Sequence, residues 1–146
     1  SMAMLRAGAE IVGYELREDF ANRARGNVRS FLGPEALERY RVELRDCYDG
    51  IDEQHLDRVV LDLPEPWRVV AHAEASLRAG GIVVAYTPSI IQAAQLRDAL
   101  ARTGAWLAAR TLEVLHRTWH IEGQAVRPDH RMVAHTGFLT SARLGA

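Results

Sequence analysis

The run Leu56-Asp57-Arg58-Val59-Val60-Leu61-Asp62-Leu63, closed at once by Pro64 and Pro66, restricts the chain to few folds. A near-continuous apolar segment of this kind is the pattern of a central parallel strand covered on both faces, and prolines end such a strand. Around it the periodicity alternates. Glu10 to Glu15 is β-rich, and Arg17 to Phe31 spaces Phe20, Ala21, Ala24, Val28 and Phe31 as on a helix face. Gly33-Pro34 stops that helix, and Tyr40 to Asp46 alternates as a second strand ending on an acid. Trp67 to Leu77 then reads as helix with Gly80-Gly81 as its stop, Ile82 to Tyr86 as a buried strand, and Ser89 to Arg102 as an amphipathic helix. Strands joined by helical connections this long require a parallel sheet with right-handed crossovers, so the class is α/β. Beyond Gly104, the runs Trp106 to His120, Arg127-Pro128 and Arg131 to Leu139 predict an antiparallel closing hairpin.

With 146 residues, 48% hydrophobic and 25% charged, the chain has the composition of one folded domain, expected to span residues 1–146. Cys47 is its single cysteine, which excludes an internal disulfide framework and a multi-thiolate metal site and makes the cytoplasm the default compartment. All 18 basic residues are arginine, so neither Schiff-base chemistry nor a phosphate-loop lysine is available. The net charge of -1 advertises no nucleic acid globally, although local arginine clusters could serve one. No apolar run approaches the roughly 20 residues that span a bilayer, and no membrane partner is expected. Ser1-Met2 has the look of an expression scar, and Met4 to Gly8 reads as the frayed end of a helix, which suggests a truncated chain.

In open α/β sheets ligands bind at the carboxyl ends of the strands. Those positions are Glu15, Asp46, Asp62 and Tyr86. Glu15 sits where an acid commonly accepts hydrogen bonds from ribose hydroxyls, or it caps the helix that begins near Arg17. Asp46 either accepts an exocyclic amine or simply terminates its strand. Asp62-Leu63-Pro64-Glu65-Pro66-Trp67 is either a rigid acidic loop or a helix entry with Trp67 in the core. Neither a G-x-G-x-x-G turn nor a Walker-type loop occurs. His116 and His120 have metal-pair spacing on a helix, but on a strand they lie roughly 13 Å apart at about 3.3 Å per residue, so no metal is expected.

Four blocks together, Gly13 to Ala21, Leu61 to Trp67, Ala85 to Gln92 and Arg131 to Leu139, resemble the tRNA (adenine-N1)-methyltransferases that act at tRNA position 58. They stand in the family's order over nearly the whole chain. The resemblance implies a class I, Rossmann-like domain dependent on S-adenosylmethionine, with S-adenosylhomocysteine as product, in a protein that is commonly a homotetramer. Carried over, Glu15 is similar to the ribose-binding acid, Asp46 to the acid meeting the cofactor's adenine, Asp62 to the aspartate near the transferred methyl, and Tyr86 to the aromatic residue beside the target base. Pro64, Trp67, Gln92 and His135 fall in matched blocks and are candidates for contact with the RNA substrate. Arg127, Arg131 and Arg29 are candidates for tRNA phosphates.

The family also has an N-terminal β-rich domain, a first sheet strand and a glycine-rich loop. These are expected to precede this chain, leaving it inactive by itself. The first strand would lie between those ending at Glu15 and Asp62, so two bared edges would re-pair or dimerise. Other readings are a non-catalytic RNA-binding or assembly subunit and a different nucleotide-dependent α/β enzyme.

Overall fold

The computed structural model describes residues 1–132 and 136–146. Two compact units are present, Ser1–Gly50 and Ile51–Ala146. The first opens with helix α1 (Met2–Arg6), followed by strand β1 (Ile11–Glu15), helix α2 (Glu18–Leu32), a 3-10 turn (Pro34–Arg39) and strand β2 (Tyr40–Leu44). β1 and β2 pair in parallel, from Ile11 beside Tyr40 to Glu15 beside Leu44. Glu18 and Asp19 occupy the first turn of α2, where carboxylates complement the positive end of the helix dipole. Its stop is the expected Gly33-Pro34, with Gly33 at φ +92°, a conformation costly to any side chain. Ala21 and Val28 bury against Leu5, Ala36, Tyr40 and Val42. Phe31, assigned to the same face from its spacing, is instead exposed. The Arg39 guanidinium donates to the carbonyls of Leu5 (3.2 Å) and Ala9 (3.3 Å), satisfying acceptors at the end of α1.

The second unit contains strand β3 (Leu56–Asp62), a 3-10 turn (Pro66–Val69), helix α3 (Val70–Ser76), strand β4 (Leu77–Thr87), helix α4 (Ile90–Thr103), and strands β5 (Trp106–Glu113), β6 (Trp119–Glu122), β7 (Ala125–Pro128) and β8 (Phe138–Leu144). Its main sheet has the order β3-β4-β8-β5, with β3 and β4 parallel and β8 antiparallel to both β4 and β5. The α/β class and the antiparallel closure expected from the sequence are both present. The closing pair is β5 with β8, while the intervening segment folds back as a separate β6-β7 hairpin. Ser89 caps α4 by accepting from the Ile91 N–H at 3.2 Å, and Gly104, at φ +70°, closes the helix.

Two expectations need correction. β3 is not covered on both faces: Val59 and Leu61 are buried, whereas Val60 between them is half-exposed. Among the described residues β3 pairs only with β4, and the alternation is that of a strand with one packed face. Gly80-Gly81 does not stop the helix, which ends at Ser76, but lies inside β4. There the register slips, from Leu56 beside Leu77 to Arg58 beside Ile82, and Gly80 takes φ +77°. The bulge absorbs extra residues on the β4 side and brings the strand back into phase by Ile82. A Cβ at Gly81 would stand 2.8 Å from the Arg78 carbonyl oxygen and 3.1 Å from the Leu77 Cβ. Gly81→Ala is therefore expected to destabilise the chain by roughly 1–3 kcal/mol, read as a lower urea midpoint with an unchanged slope.

Candidate active site at the strand ends

In the first unit two carboxylates stand at the ends of adjacent parallel strands. The Glu15 carbonyl accepts from the Arg45 N–H at 3.1 Å, extending the β1-β2 ladder to the residue before Asp46. Each acid is steadied by a backbone donor two residues on: Glu15 Oε1 accepts from Arg17 N–H at 2.9 Å, and Asp46 Oδ1 from Tyr48 N–H at 2.8 Å. Arg17 is the N-cap of α2, so the Glu15 carboxylate holds the turn from β1 into the helix without capping the first helical N–H groups. A carboxylate has about four acceptor positions, and one bond orients the group without exhausting it. β2 ends at Leu44, and Asp46 caps the 3-10 turn Cys47–Asp49. This set of acceptors suits a nucleoside: paired acceptors for vicinal hydroxyls at one strand end and an acceptor for an exocyclic amine at the next.

Cys47 adjoins Asp46. Burial pushes its thiol above the usual range, and the neighbouring Asp46 carboxylate raises it further against the opposing effect of a backbone hydrogen bond. The thiol thus stays protonated and unreactive near neutrality.

In the second unit the parallel register sets Asp62 beside Tyr86. Asp62 is exposed at the end of β3, and Pro66, buried, anchors the turn behind it while Trp67 is half-buried. The turn does lead into α3, as the helix-entry reading expects, but Trp67 is half-buried and not in the core. Gln92, on the first turn of α4, donates from Nε2 to the Pro64 carbonyl at 2.9 Å and ties that loop to the helix.

Tyr86 is not a core filler. Its ring is partly exposed, and its hydroxyl donates to the Thr136 carbonyl at 2.5 Å. Gly137, at φ +145°, gives the ring its seat, since a Cβ there would come within 2.2 Å of it. Sequence reasoning placed Thr136 and Gly137 in a matched block but assigned them nothing. The signal was a glycine just before the last strand. Arg127 is exposed on β7, Arg131 in the segment after it, and Arg29 on α2. His135 lies outside the described residues.

Acids at the carboxyl ends of parallel strands, crossover helices and an antiparallel closing strand define the class I methyltransferase fold. Solved structures agree. A SAM-dependent O-methyltransferase from Thermotoga maritima matches with a TM-score of 0.83 and 28% identity over 94% of this chain and 50% of its own. The tRNA (m1A58) methyltransferase TrmI from Aquifex aeolicus matches in fold, with a TM-score of 0.75 and 23% identity over 94% and 54%. Residues 9–127 match the family described as tRNA methyltransferase complex GCD14 subunit, and the chain belongs to that family. Two curated relatives carry related names. One is the tRNA (adenine(57)-N(1)/adenine(58)-N(1))-methyltransferase TrmI of Methanocaldococcus jannaschii, 32% identical over 92% of this chain and 56% of its own length. The other, the tRNA (adenine(58)-N(1))-methyltransferase TrmI of Thermus thermophilus, is 33% identical over 91% and 51%. The chain thus spans about half the length of these relatives.

Two outcomes follow from the geometry. Gly137→Ala should unseat the Tyr86 ring and cost roughly 1–3 kcal/mol in denaturant unfolding; unchanged stability would contradict the seat. Asp46→Asn keeps an oxygen acceptor for Tyr48 but removes the charge beside Cys47, so alkylation of Cys47 by iodoacetamide at pH 8 should quicken by roughly two-fold or more.

Proposed function

We propose that this chain carries the catalytic domain of a tRNA (adenine-N1)-methyltransferase, moving a methyl group from S-adenosylmethionine to N1 of adenine 58 in the T-loop. The observation that carries this reading is the in-register pairing of Asp62 with Tyr86 at the ends of β3 and β4, in a chain of this family. Glu15 would hold the ribose hydroxyls of the cofactor and Asp46 its adenine amine, with Asp62 a further cofactor-binding acid. When bound, the cofactor supplies an electrophilic methyl on a sulfonium.

Adenine N1 brings its own lone pair, so the protein need not abstract a proton before transfer. With the cofactor held by Glu15 and Asp46, its sulfonium would supply the methyl and retain the bond pair, leaving the chain's residues to hold the accepting N1 in line. Positioning then carries much of the rate, since an aligned near-attack geometry is worth about 7–11 kcal/mol. Asp62 accepts a hydrogen bond from the exocyclic amine of the target adenine, keeps N1 in line and stabilises the positive charge that develops on the ring. Tyr86 walls the base, which must leave its stack to be reached. Gln92 and Pro64 act as positioning residues by holding the loop that follows Asp62 and leads to Trp67. Arg127, Arg131 and Arg29 meet tRNA phosphates, and His135 lies in a block matched to the same family. We further place the protein in the cytoplasm as a homo-oligomer, a tetramer by family precedent; no helix among the described residues is long and apolar enough to cross a membrane.

Calorimetric titration with S-adenosylhomocysteine tests the cofactor half: binding is expected, and Glu15→Ala should weaken it at least tenfold. In the full-length protein, Asp62→Ala should reduce methyl transfer to tRNA by about a hundredfold or more while changing S-adenosylhomocysteine affinity little. Retained turnover would remove Asp62 from the chemistry. A chain that binds tRNA but no cofactor would instead be a non-catalytic subunit.

A further inference from the structure

The start of β4 carries a cluster of arginines that the strand-end acids do not use. At the bulge Gly80 takes φ +77°, and a Cβ built there would stand 3.8 Å from Nη1 of both Arg78 and Arg143. The bare Cα leaves a notch bordered by two guanidinium groups, one from β4 and one from β8. A third belongs to the same sheet face: register runs from Arg58 through Ile82 to Arg143 across β3, β4 and β8. The Arg58 and Arg143 backbones are therefore about 10 Å apart, within the combined reach of two long side chains.

All three guanidinium groups are aimed by the backbone. Arg143 Nη1 donates to the Gly80 carbonyl at 2.5 Å, Arg78 Nη1 to the Ala79 carbonyl at 3.1 Å, and Arg58 Nη1 to the Asp57 carbonyl at 2.6 Å. Arg78 Nε also donates to Asp57 Oδ1 at 2.6 Å, and Asp57 is the one carboxylate paired with any of the three among the described residues. The cluster keeps an excess of positive charge. A guanidinium has five N–H donors, so most of them remain for a ligand. Arginines held in advance lose less freedom on binding than solvated ones. A carboxylate ligand satisfies one fork, whereas a phosphate presents oxygens to several. The three side chains are exposed and make a rim, which suits a phosphodiester whose chain continues on both sides.

We propose that Arg78 and Arg143, joined by Arg58, grip a backbone phosphate of the RNA substrate at the Gly80 notch. Arg58 shares a face of β3 with Asp62, as Ile82 shares one of β4 with Tyr86, roughly 13 Å along the strands at about 3.3 Å per residue. One RNA can touch both places. The inference rests on the tRNA substrate proposed above and adds a contact that fixes how the RNA lies on the second unit.

Inorganic phosphate added to this chain should shift the Nε–Hε signals of Arg78 and Arg143 and the Gly80 amide in nitrogen–proton NMR spectra. In the full-length protein, Arg78→Gln with Arg143→Gln should weaken tRNA binding about three- to tenfold and lower the slope of log Kd against log salt by about one. S-adenosylhomocysteine binding should not change. Because Arg143 also ties β8 to the bulge, Arg58→Gln repeats the test at a side chain bonded only to the adjacent carbonyl, with about a twofold loss expected. Arg102→Gln, exposed on α4 and outside the cluster, should do neither. Unchanged tRNA affinity and salt slope in the cluster variants would overturn the grip and leave the methyltransferase reading standing. Phosphate shifts with unchanged tRNA binding would mean that the notch takes a free phosphate, and the RNA assignment falls. An equal loss from Arg102→Gln would reduce the cluster to general surface charge, which also overturns it. A full-length protein that binds no tRNA would overturn this assignment and the proposed function together.

Discussion

Parallel pairing of β3 with β4 is the contact on which the second unit's chemistry depends. Two strands that run the same way must be joined by a crossover, which puts their carboxyl ends on one edge and leaves α3 to return the chain. Asp62 and Tyr86 become neighbours as a result. The Gly80-Gly81 bulge matters for the same reason: it lets β4 run long at its start and still reach Tyr86 in phase with Asp62. β8 then pairs with the other side of β4, setting Leu139 opposite Tyr86 and bringing Thr136 and Gly137 to the tyrosine ring.

The candidate residues share a manner of restraint. Glu15 and Asp46 each accept one backbone N–H two residues ahead, Tyr86 donates to a carbonyl, and the loop after Asp62 is held by Gln92. These are single hydrogen bonds, each worth about 0.5–1.5 kcal/mol net, so they contribute little to stability. Their effect is on orientation: a carboxylate aimed by one bond retains acceptor sites for a ligand, and an aromatic ring fixed by its hydroxyl keeps a face available. Cys47, one residue from Asp46, is kept protonated by its surroundings and adds no competing nucleophile.

Much of this was legible in the residues. Alternating apolar runs located the elements up to α4, because strand and helix periods differ and Gly33-Pro34, Pro64 and Ser89 punctuate them locally, whereas the run Trp106 to His120 holds two strands and the last strand is Phe138–Leu144, beginning near the end of the run expected for it. The acids at strand ends could be named because a parallel sheet offers one functional edge. Other features escaped. The run from Leu56 to Leu63 is apolar enough for a strand buried on both sides, yet Val60 is half-exposed, since burial depends on which neighbours are present. Gly80-Gly81 reads as a helix stop by composition and is a bulge by pairing, a distinction made by a partner strand and not by the glycines.

Local sequence therefore determined the class, the element order and the identity of the acids, for these follow from periodicity, turn chemistry and residue type. Tertiary structure decided the rest: that Asp62 stands beside Tyr86, that Tyr86 rests over Gly137, that Gln92 reaches Pro64, and that the hairpin turns Trp119, Ile121 and Val126 outward. Those facts join residues distant in sequence, whose separations depend on strand register and crossover path, and no short-range preference encodes either.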